Sequence, residues 1–183
     1  MDCRLINGAL LGLVACSLLL PSSATAEQSV SVDDVKLALV YKIARFVTWP
    51  AESSDPFLLC VTGGSAYDAA RSKLAGRSIR EREVRVEEAN MTVDSQQRCD
   101  ALYIASGTMQ QADQLLARYA NEPVLTLSDS NDFVMNGGMV GLTIRNNRVN
   151  IQINVANYER VGLSVNSQLL QLAEIVGEQK AQR

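Results

Sequence analysis

Histidine is absent from the whole chain, which removes the commonest general base and the commonest metal ligand together. Ser-His-Asp catalysis, Cys-His catalysis and His-rich zinc sites are thereby excluded. Carboxylate, lysine or serine chemistry remains, and three stretches carry residue types suited to chemistry. Thr62-Gly63-Gly64-Ser65 follows an apolar run and precedes a helical pattern, a place where backbone N–H groups and a helix N-terminus can hold phosphate. It lacks both G-x-G-x-x-G and a P-loop lysine. The competing expectation is a tight turn with Ser65 as N-cap and Asp68 as its capping-box partner. Ser128-Asp129-Ser130-Asn131-Asp132 offers two carboxylates for Mg²⁺ or Ca²⁺, or for metal-assisted hydrolysis, against a plain helix-capping loop. Phe133 stands where an EF-hand would place its third ligand. The glycines of FVMNGGMVGLTIRNNRVNIQIN, residues 133–154, precede no helix with a lysine, so a phosphate loop is the weakest reading there. Arg77, Arg80, Arg82 and Arg85 alternate with glutamates, the pattern of a solvated surface.

The remaining reactive groups are thiols, and their compartment decides what they do. Residues 8–20 form an apolar run of signal-peptide length behind Arg4, too short to span a bilayer, and Ala24-Thr25-Ala26 supplies an A-x-A cleavage pattern. Residues 1–26 therefore read as a leader, with cleavage after Ala26 and a periplasmic mature chain. A lipobox-like Leu13-Val14-Ala15-Cys16 is the alternative, with Cys16 as a lipidated N-terminus. Cys3 and Cys16 leave with the leader, and Cys60 and Cys99 remain. In an exported protein such a pair reads as a disulfide, with a reactive dithiol as the alternative. Asp2 and Arg4 cancel, so the mature chain keeps the formal charge of −3. That mildly acidic balance argues against nucleic acid as a partner. Residues 27–183 suit one domain with its own core.

The elements that must position these groups follow from hydrophobic period. Ser31 caps a helix that runs to about Val47, with Val35, Leu39, Ile43 and Phe46 as one stripe and Leu37, Val40, Tyr41 and Val47 on other sides. A helix apolar over most of its circumference needs cover on two sides, from a sheet and from a further surface such as a second protomer. Residues 57–61, 101–105 and 124–127 are continuous apolar runs, the pattern of strands buried on both faces. Helix-like stretches at 65–74 and 108–120 separate them, and residues 84–86 form a weaker strand for an edge. The expected fold class is α/β: a three-layer sandwich with a mainly parallel sheet, completed by a C-terminal antiparallel hairpin and helices. A Cys60–Cys99 bridge requires the strands holding them to be neighbours, giving the order 2-1-3 around the first strand. Residues 139–144 and 149–153 alternate around the turn 145–148, which is a β-hairpin with Gly137-Gly138 as its entry bend. The predicted finish is a short helix at 155–161 stopped by Gly162, a helix from Ser164 to about Val176 with the stripe Val165, Leu169, Leu172 and Val176, and a polar tail, 177–183. By pattern the hairpin is either a buried ribbon completing the sheet or an edge presenting Val140, Leu142, Gln152 and Tyr158 to a partner.

Taken together, YKIARFVTWP, FLLCVTG, RCDALYIAS, LTLSD, GGMVGLTIRNNRVNIQIN and GLSVNSQLLQLAEIV resemble the YfiR family of periplasmic proteins across most of residues 35–176. The resemblance implies an exported α/β protein, a homodimer in many members, with no cofactor and no catalytic residues. Its implied partner is the periplasmic domain of an inner-membrane diguanylate cyclase, or another sensor protein. Binding holds the cyclase inactive, lowering cyclic-di-GMP and biofilm formation. Val140, Leu142, Gln152, Tyr158 and Gln168 are the candidate contacts for that partner. Some members carry a second disulfide around the GGM hairpin, but residues 134–141 contain no cysteine here. A periplasmic small-ligand sensor using residues 62–65 and 128–132 is the alternative function.

Overall fold

The computed structural model describes residues 31–51, 53, 55–89, 97–145 and 148–177. The expected leader, the Cys16 alternative, the Asn146-Asn147 turn and the tail beyond Gly177 lie outside the described residues. The chain opens with helix α1, Val32–Arg45, where the Ser31 hydroxyl accepts from the Asp34 amide at 3.1 Å. That bond satisfies one of the orphan N–H groups of the first turn. Asp33 and Asp34 at the start and Lys42 and Arg45 at the end match the sign of the helix dipole. The inward face is Leu37, Val40, Ile43 and Ala44, whereas Val35 and Phe46 of the expected stripe are each 38% exposed. A helix apolar on several sides cannot declare by period alone which side meets the sheet.

Strand β1 (Val47–Thr48) leads to β2 (Phe57–Val61), helix α2 (Gly64–Leu74), the two-residue β3 (Ser78–Ile79) and β4 (Arg82–Glu88). Next come β5 (Ala101–Ile104), a 3-10 stretch (Ser106–Gln111), α3 (Ala112–Arg118) and β6 (Leu125–Ser128). The hairpin is β7 (Val140–Arg145) and β8 (Arg148–Asn154), followed by α4 (Val155–Arg160), β9 (Ser164–Val165), α5 (Ser167–Leu172) and β10 (Glu174–Val176). The eight-stranded sheet has the order β10-β8-β7-β6-β5-β2-β4-β3. Strands β4, β2, β5, β6 and β7 run parallel, β8 returns antiparallel to β7, and β10 lies parallel to β8. The arrangement β4-β2-β5 is the order expected around the first strand, and the mixed α/β class with its hairpin is as expected. A separate β1–β9 pair joins the end of α1 to the C-terminal segment.

Three local expectations are corrected. The expected helix 164–176 is broken into β9, α5 and β10, because the Asn166 side chain accepts from the Gln168 amide at 2.8 Å and starts a new cap. Ala173 then turns extended, and Glu174–Val176 pairs with β8; Leu172, placed on the expected stripe, is 78% exposed. Helix α2 is capped by Gly63 at φ +83°, with no side-chain cap bond, so Ser65 already lies inside the helix. The stretch 108–120 is not one helix: the 3-10 stretch Ser106–Gln111, itself kinked at Thr108, comes first, and α3 begins only at Ala112 and ends at Arg118.

Successive strand residues face opposite sides of a sheet, and the core divides accordingly. Leu59, Val61, Ala101, Tyr103, Leu125 and Leu127 pack with α1, α2, Tyr158 and Leu169. Cys60, Leu102, Ile104 and Val124 pack with α3, Phe133 and Val134. On that second side Phe133 is 1% exposed and lies against the hairpin's entry bend. A Cβ at Gly138 would stand 2.2 Å from the Phe133 ring. Gly138→Ala is therefore expected to destabilise by about 1–3 kcal/mol, the range for an overpacked interior. Its urea midpoint against the parent measures this, and an unchanged midpoint would show that the bend yields freely.

Candidate functional site

In an open parallel sheet, ligands bind at the carboxyl ends of the strands, so the groups gathered there come first. Thr62 follows β2, Ser106 follows β5, and Asp129 follows β6. The Thr62 hydroxyl lies 2.5 Å from that of Thr108 and accepts from the Ala105 amide at 3.0 Å. A Cβ at Gly63 would lie 3.2 Å from Thr108 Cγ2. The turn at 62–65 is thus bonded to the 3-10 stretch, the tight-turn outcome for this segment.

Asp129 is the polar centre of the same edge, its side chain only 6% exposed. Lys36 of α1 donates to Asp129 Oδ2 at 2.6 Å, and Ser106 donates to the carboxylate from its amide at 2.8 Å and from its hydroxyl at 3.3 Å. Lys36 also reaches Asp33 at 3.2 Å. Burial by itself would lower the Lys36 pKa, but the hydrogen bond and charge of Asp129 outweigh it, and the ammonium holds its proton more tightly than free lysine. The buried Tyr103 phenol is pushed up, first by burial and then by the charge of Asp129. A cation at Asp129 would have to displace an ammonium already in contact. Asp132 lies in the exposed turn that follows, at φ +64°. Among the described residues there is no group of three or more His, Cys, Asp or Glu side chains placed to hold a metal.

The opposite, amino ends of the strands carry a second polar cluster. Arg82, expected on a solvated surface, has a side chain only 10% exposed. It donates to the Asp100 carboxylate at 2.8 Å and to the carbonyls of Asp55 and Pro56 at 2.7 and 3.0 Å, while stacking over Phe57. Asp100 accepts in turn from the Leu58 amide at 2.8 Å. Beside this clamp, Cys60 and Cys99 form a disulfide with Cα atoms 5.8 Å apart. Cys60 is fully buried in β2, and half-buried Cys99 lies 3.4 Å from the Tyr119 hydroxyl. Burial raises the Tyr119 pKa. A cavity of about 480 Å³ opens here between Trp49, Cys99, Asp100, Tyr119 and Pro123.

The hairpin pairs Val140 with Ile153 through Arg145 with Arg148. Val140, Leu142 and Tyr158 are 1%, 0% and 3% exposed. The expectation that they face a partner is corrected: their side chains face the core cluster beneath α1. Of the five candidate contacts, half-buried Gln152 donates to Glu174 of β10 at 3.0 Å, and Gln168 is exposed on α5. The hairpin is not the sheet's edge, because β10 covers β8.

A family model described as YfiR/HmsC-like matches residues 33–174, from the first turn of α1 to the first residue of β10. The chain belongs to the YfiR/HmsC-like family. Members of this family are periplasmic regulators and not catalysts, and the Cys60–Cys99 bridge agrees with an oxidising compartment. Among the described residues no helix is long and apolar enough to cross a membrane. In this YfiR/HmsC-like chain Lys36 and Asp129 at one end of the sheet and Arg82 and Asp100 at the other are spent on structure. Lys36 and Arg82 were missed by sequence reasoning because a lone lysine in a helix and an arginine in a mixed-charge run look solvated. One sequence signal was available for Arg82: it sits between alternating strand residues, where every second side chain turns inward.

Proposed function

We propose that the chain is an exported repressor which binds the periplasmic domain of an inner-membrane diguanylate cyclase and holds it inactive, lowering cyclic-di-GMP and biofilm formation. Residues 27–176 form its one domain, behind a leader removed after Ala26 and ahead of a polar tail, 177–183. The observation that carries this reading is the YfiR/HmsC-like match over 33–174; the disulfide is a second support. Repression requires tighter binding to the inactive than to the active form of the cyclase, since only differential affinity moves an equilibrium. The contact surface in this proposal is the accessible flank of the C-terminal region: Gln152, Gln168, the 78% exposed Leu172 and the outer edge of β10. Val140, Leu142 and Tyr158 serve it indirectly by anchoring the ribbon. Deleting the gene is expected to raise cellular cyclic-di-GMP and biofilm mass, measured by mass spectrometry of extracts and by surface staining. Unchanged cyclic-di-GMP in the deletion strain would refute the proposal.

The cavity beside Cys99 favours a second reading, a sensor for a small ligand feeding a membrane signalling protein. Its volume of about 480 Å³ is within the range of ligand pockets. A ligand bound only by the folded chain raises its melting temperature, so a metabolite screen without any shift would dismiss this reading.

A further inference from the structure

Helix α1, β1 and β3 meet at a junction that gathers basic side chains from separate stretches of the chain. The Tyr41 hydroxyl donates to the Ser78 carbonyl at 2.9 Å, tying the end of α1 to β3. Two guanidiniums stand over the Tyr41 ring, with Arg45 Cζ 5.8 Å and Arg77 Cζ 5.4 Å from its centroid. A third belongs to Arg80, which donates to the Thr48 hydroxyl at 3.1 Å. Lys42, three positions before Arg45, shares its side of the helix. All four cations are exposed. Lys36, Lys73, Arg82 and Arg98 each meet a carboxylate, but among the described residues Lys42, Arg45, Arg77 and Arg80 form no ion pair.

The arginines are thus anchored without being neutralised. An aromatic face holds a guanidinium without consuming its N–H donors, and among the described residues only the Arg77 Nε is bonded, to the Lys73 carbonyl at 2.7 Å. The turn carrying Arg80 is fixed as well. Ile79 pairs with Arg82, so Arg80 and Glu81 are the two loop residues, at φ +50° and +65°, where Asn-Gly is the favoured sequence. Two successive non-glycine residues keep that conformation only where their surroundings enforce it, and here it sets the reach of Arg80 to Thr48. Glu81 pairs with none of the four cations.

We propose that Lys42, Arg45, Arg77 and Arg80 form a docking surface for an anionic lipid bilayer, whose headgroup phosphates take the free guanidinium donors. Exposure selects a bilayer over a soluble anion: a small ligand sits in a concave site that encloses most of it, whereas a headgroup layer offers many phosphates to an open face. The chain as a whole carries −3, so attraction to an anionic surface requires a local cluster, and about four basic groups is where such clusters begin to hold protein to anionic lipid. This surface shares no residue with the C-terminal flank assigned to the cyclase and does not depend on that assignment.

The test is co-sedimentation of the secreted full chain with vesicles of equimolar phosphatidylglycerol and phosphatidylcholine, against vesicles of phosphatidylcholine alone. The parent should favour the anionic vesicles by on the order of 100-fold, and the preference should fade as salt is raised. Each basic group near an anionic surface contributes about fivefold, so the double variant Arg45→Gln, Arg77→Gln should lower partitioning by roughly 25-fold. Arg148→Gln, Arg160→Gln removes the same charge from exposed positions elsewhere and should keep most of the partitioning. All four substituted side chains are exposed, so both double variants should unfold at the parent's urea midpoint, which separates lost binding from lost folding. Equal partitioning onto the two kinds of vesicle would overturn the proposal, as would equal losses in the two double variants. A chain that ignores vesicles but melts at a higher temperature in pyrophosphate would assign the cluster to a soluble phosphate and overturn it too.

Discussion

Cys99→Ser is expected to lower the free energy of unfolding by about 4 kcal/mol, the loop-entropy value for a bridge closing some 40 residues. The two cysteines are 39 positions apart, and the loop they close includes α2, β3 and β4. Without the bond, the unfolded chain recovers the freedom to separate β2 from the segment leading into β5. Cys99 is the better site for the test because it is half-buried. Serine at Cys60 would also place a hydroxyl among Leu102, Ile104 and Leu115, adding a desolvation cost. The neighbouring contacts are made by other atoms: the Asp100 amide donates to the Leu58 carbonyl at 2.8 Å, and Arg82 holds the Asp100 carboxylate. The variant should therefore fold to the same structure and unfold at lower denaturant. Chemical unfolding with and without dithiothreitol measures this. Reductant should lower the parent's midpoint to near that of the variant while leaving the variant unmoved. A parent indifferent to reductant would show that the bridge contributes nothing.

Lys36→Met should cost about 3 kcal/mol, the low end for breaking a buried ion pair, because the methionine keeps the apolar stem but abandons the Asp129 carboxylate where it is 6% exposed. Removing one member of a buried pair costs far more than removing both. The double variant Lys36→Met, Asp129→Asn should accordingly recover a large part of the loss, with Ser106 still hydrogen-bonding the amide. The same pair sets an alkaline limit. Lys36 holds its proton more tightly in the folded chain than the ordinary lysine value of 10.5, so its contribution is complete below that value. It is lost as pH rises through the folded pKa. Stability measured between neutral pH and strongly alkaline pH should fall at the alkaline end in the parent, and fall less in Lys36→Met. Equal alkaline slopes in the two proteins would mean that Asp129 does not hold that proton.

Much of the architecture was legible because it rests on local pattern. Phe57–Val61 is a continuous apolar run, and it is a strand buried between β4 and β5. Ser31 stands ahead of Asp34, and it caps α1. The alternation on either side of residues 145–148 produced the β7–β8 register. The C-terminal stretch was misread for the complementary reason. Residues 164–176 carry a stripe at helical spacing, but Glu174–Val176 gains strand hydrogen bonds from β8, a partner distant in the chain that no local window contains. Of the five candidate contacts, Gln152 and Gln168 are accessible and Val140, Leu142 and Tyr158 are buried, because alternation along a strand does not say which side of the ribbon the core occupies.

By itself the amino-acid sequence determined the absence of histidine chemistry, the α/β rhythm, the strand neighbours demanded by Cys60 and Cys99, and the family. These depend on composition, on short-range period, or on the single covalent constraint of a bridge. Only the tertiary structure decided that Asp129 is neutralised by Lys36, that Arg82 is a buried clamp on Asp100, and that β10 covers the hairpin. Each of those joins groups far apart along the chain. Whether a charged or apolar side chain is buried depends on what the folded chain lays over it, and that is settled by packing and not by its neighbours in sequence.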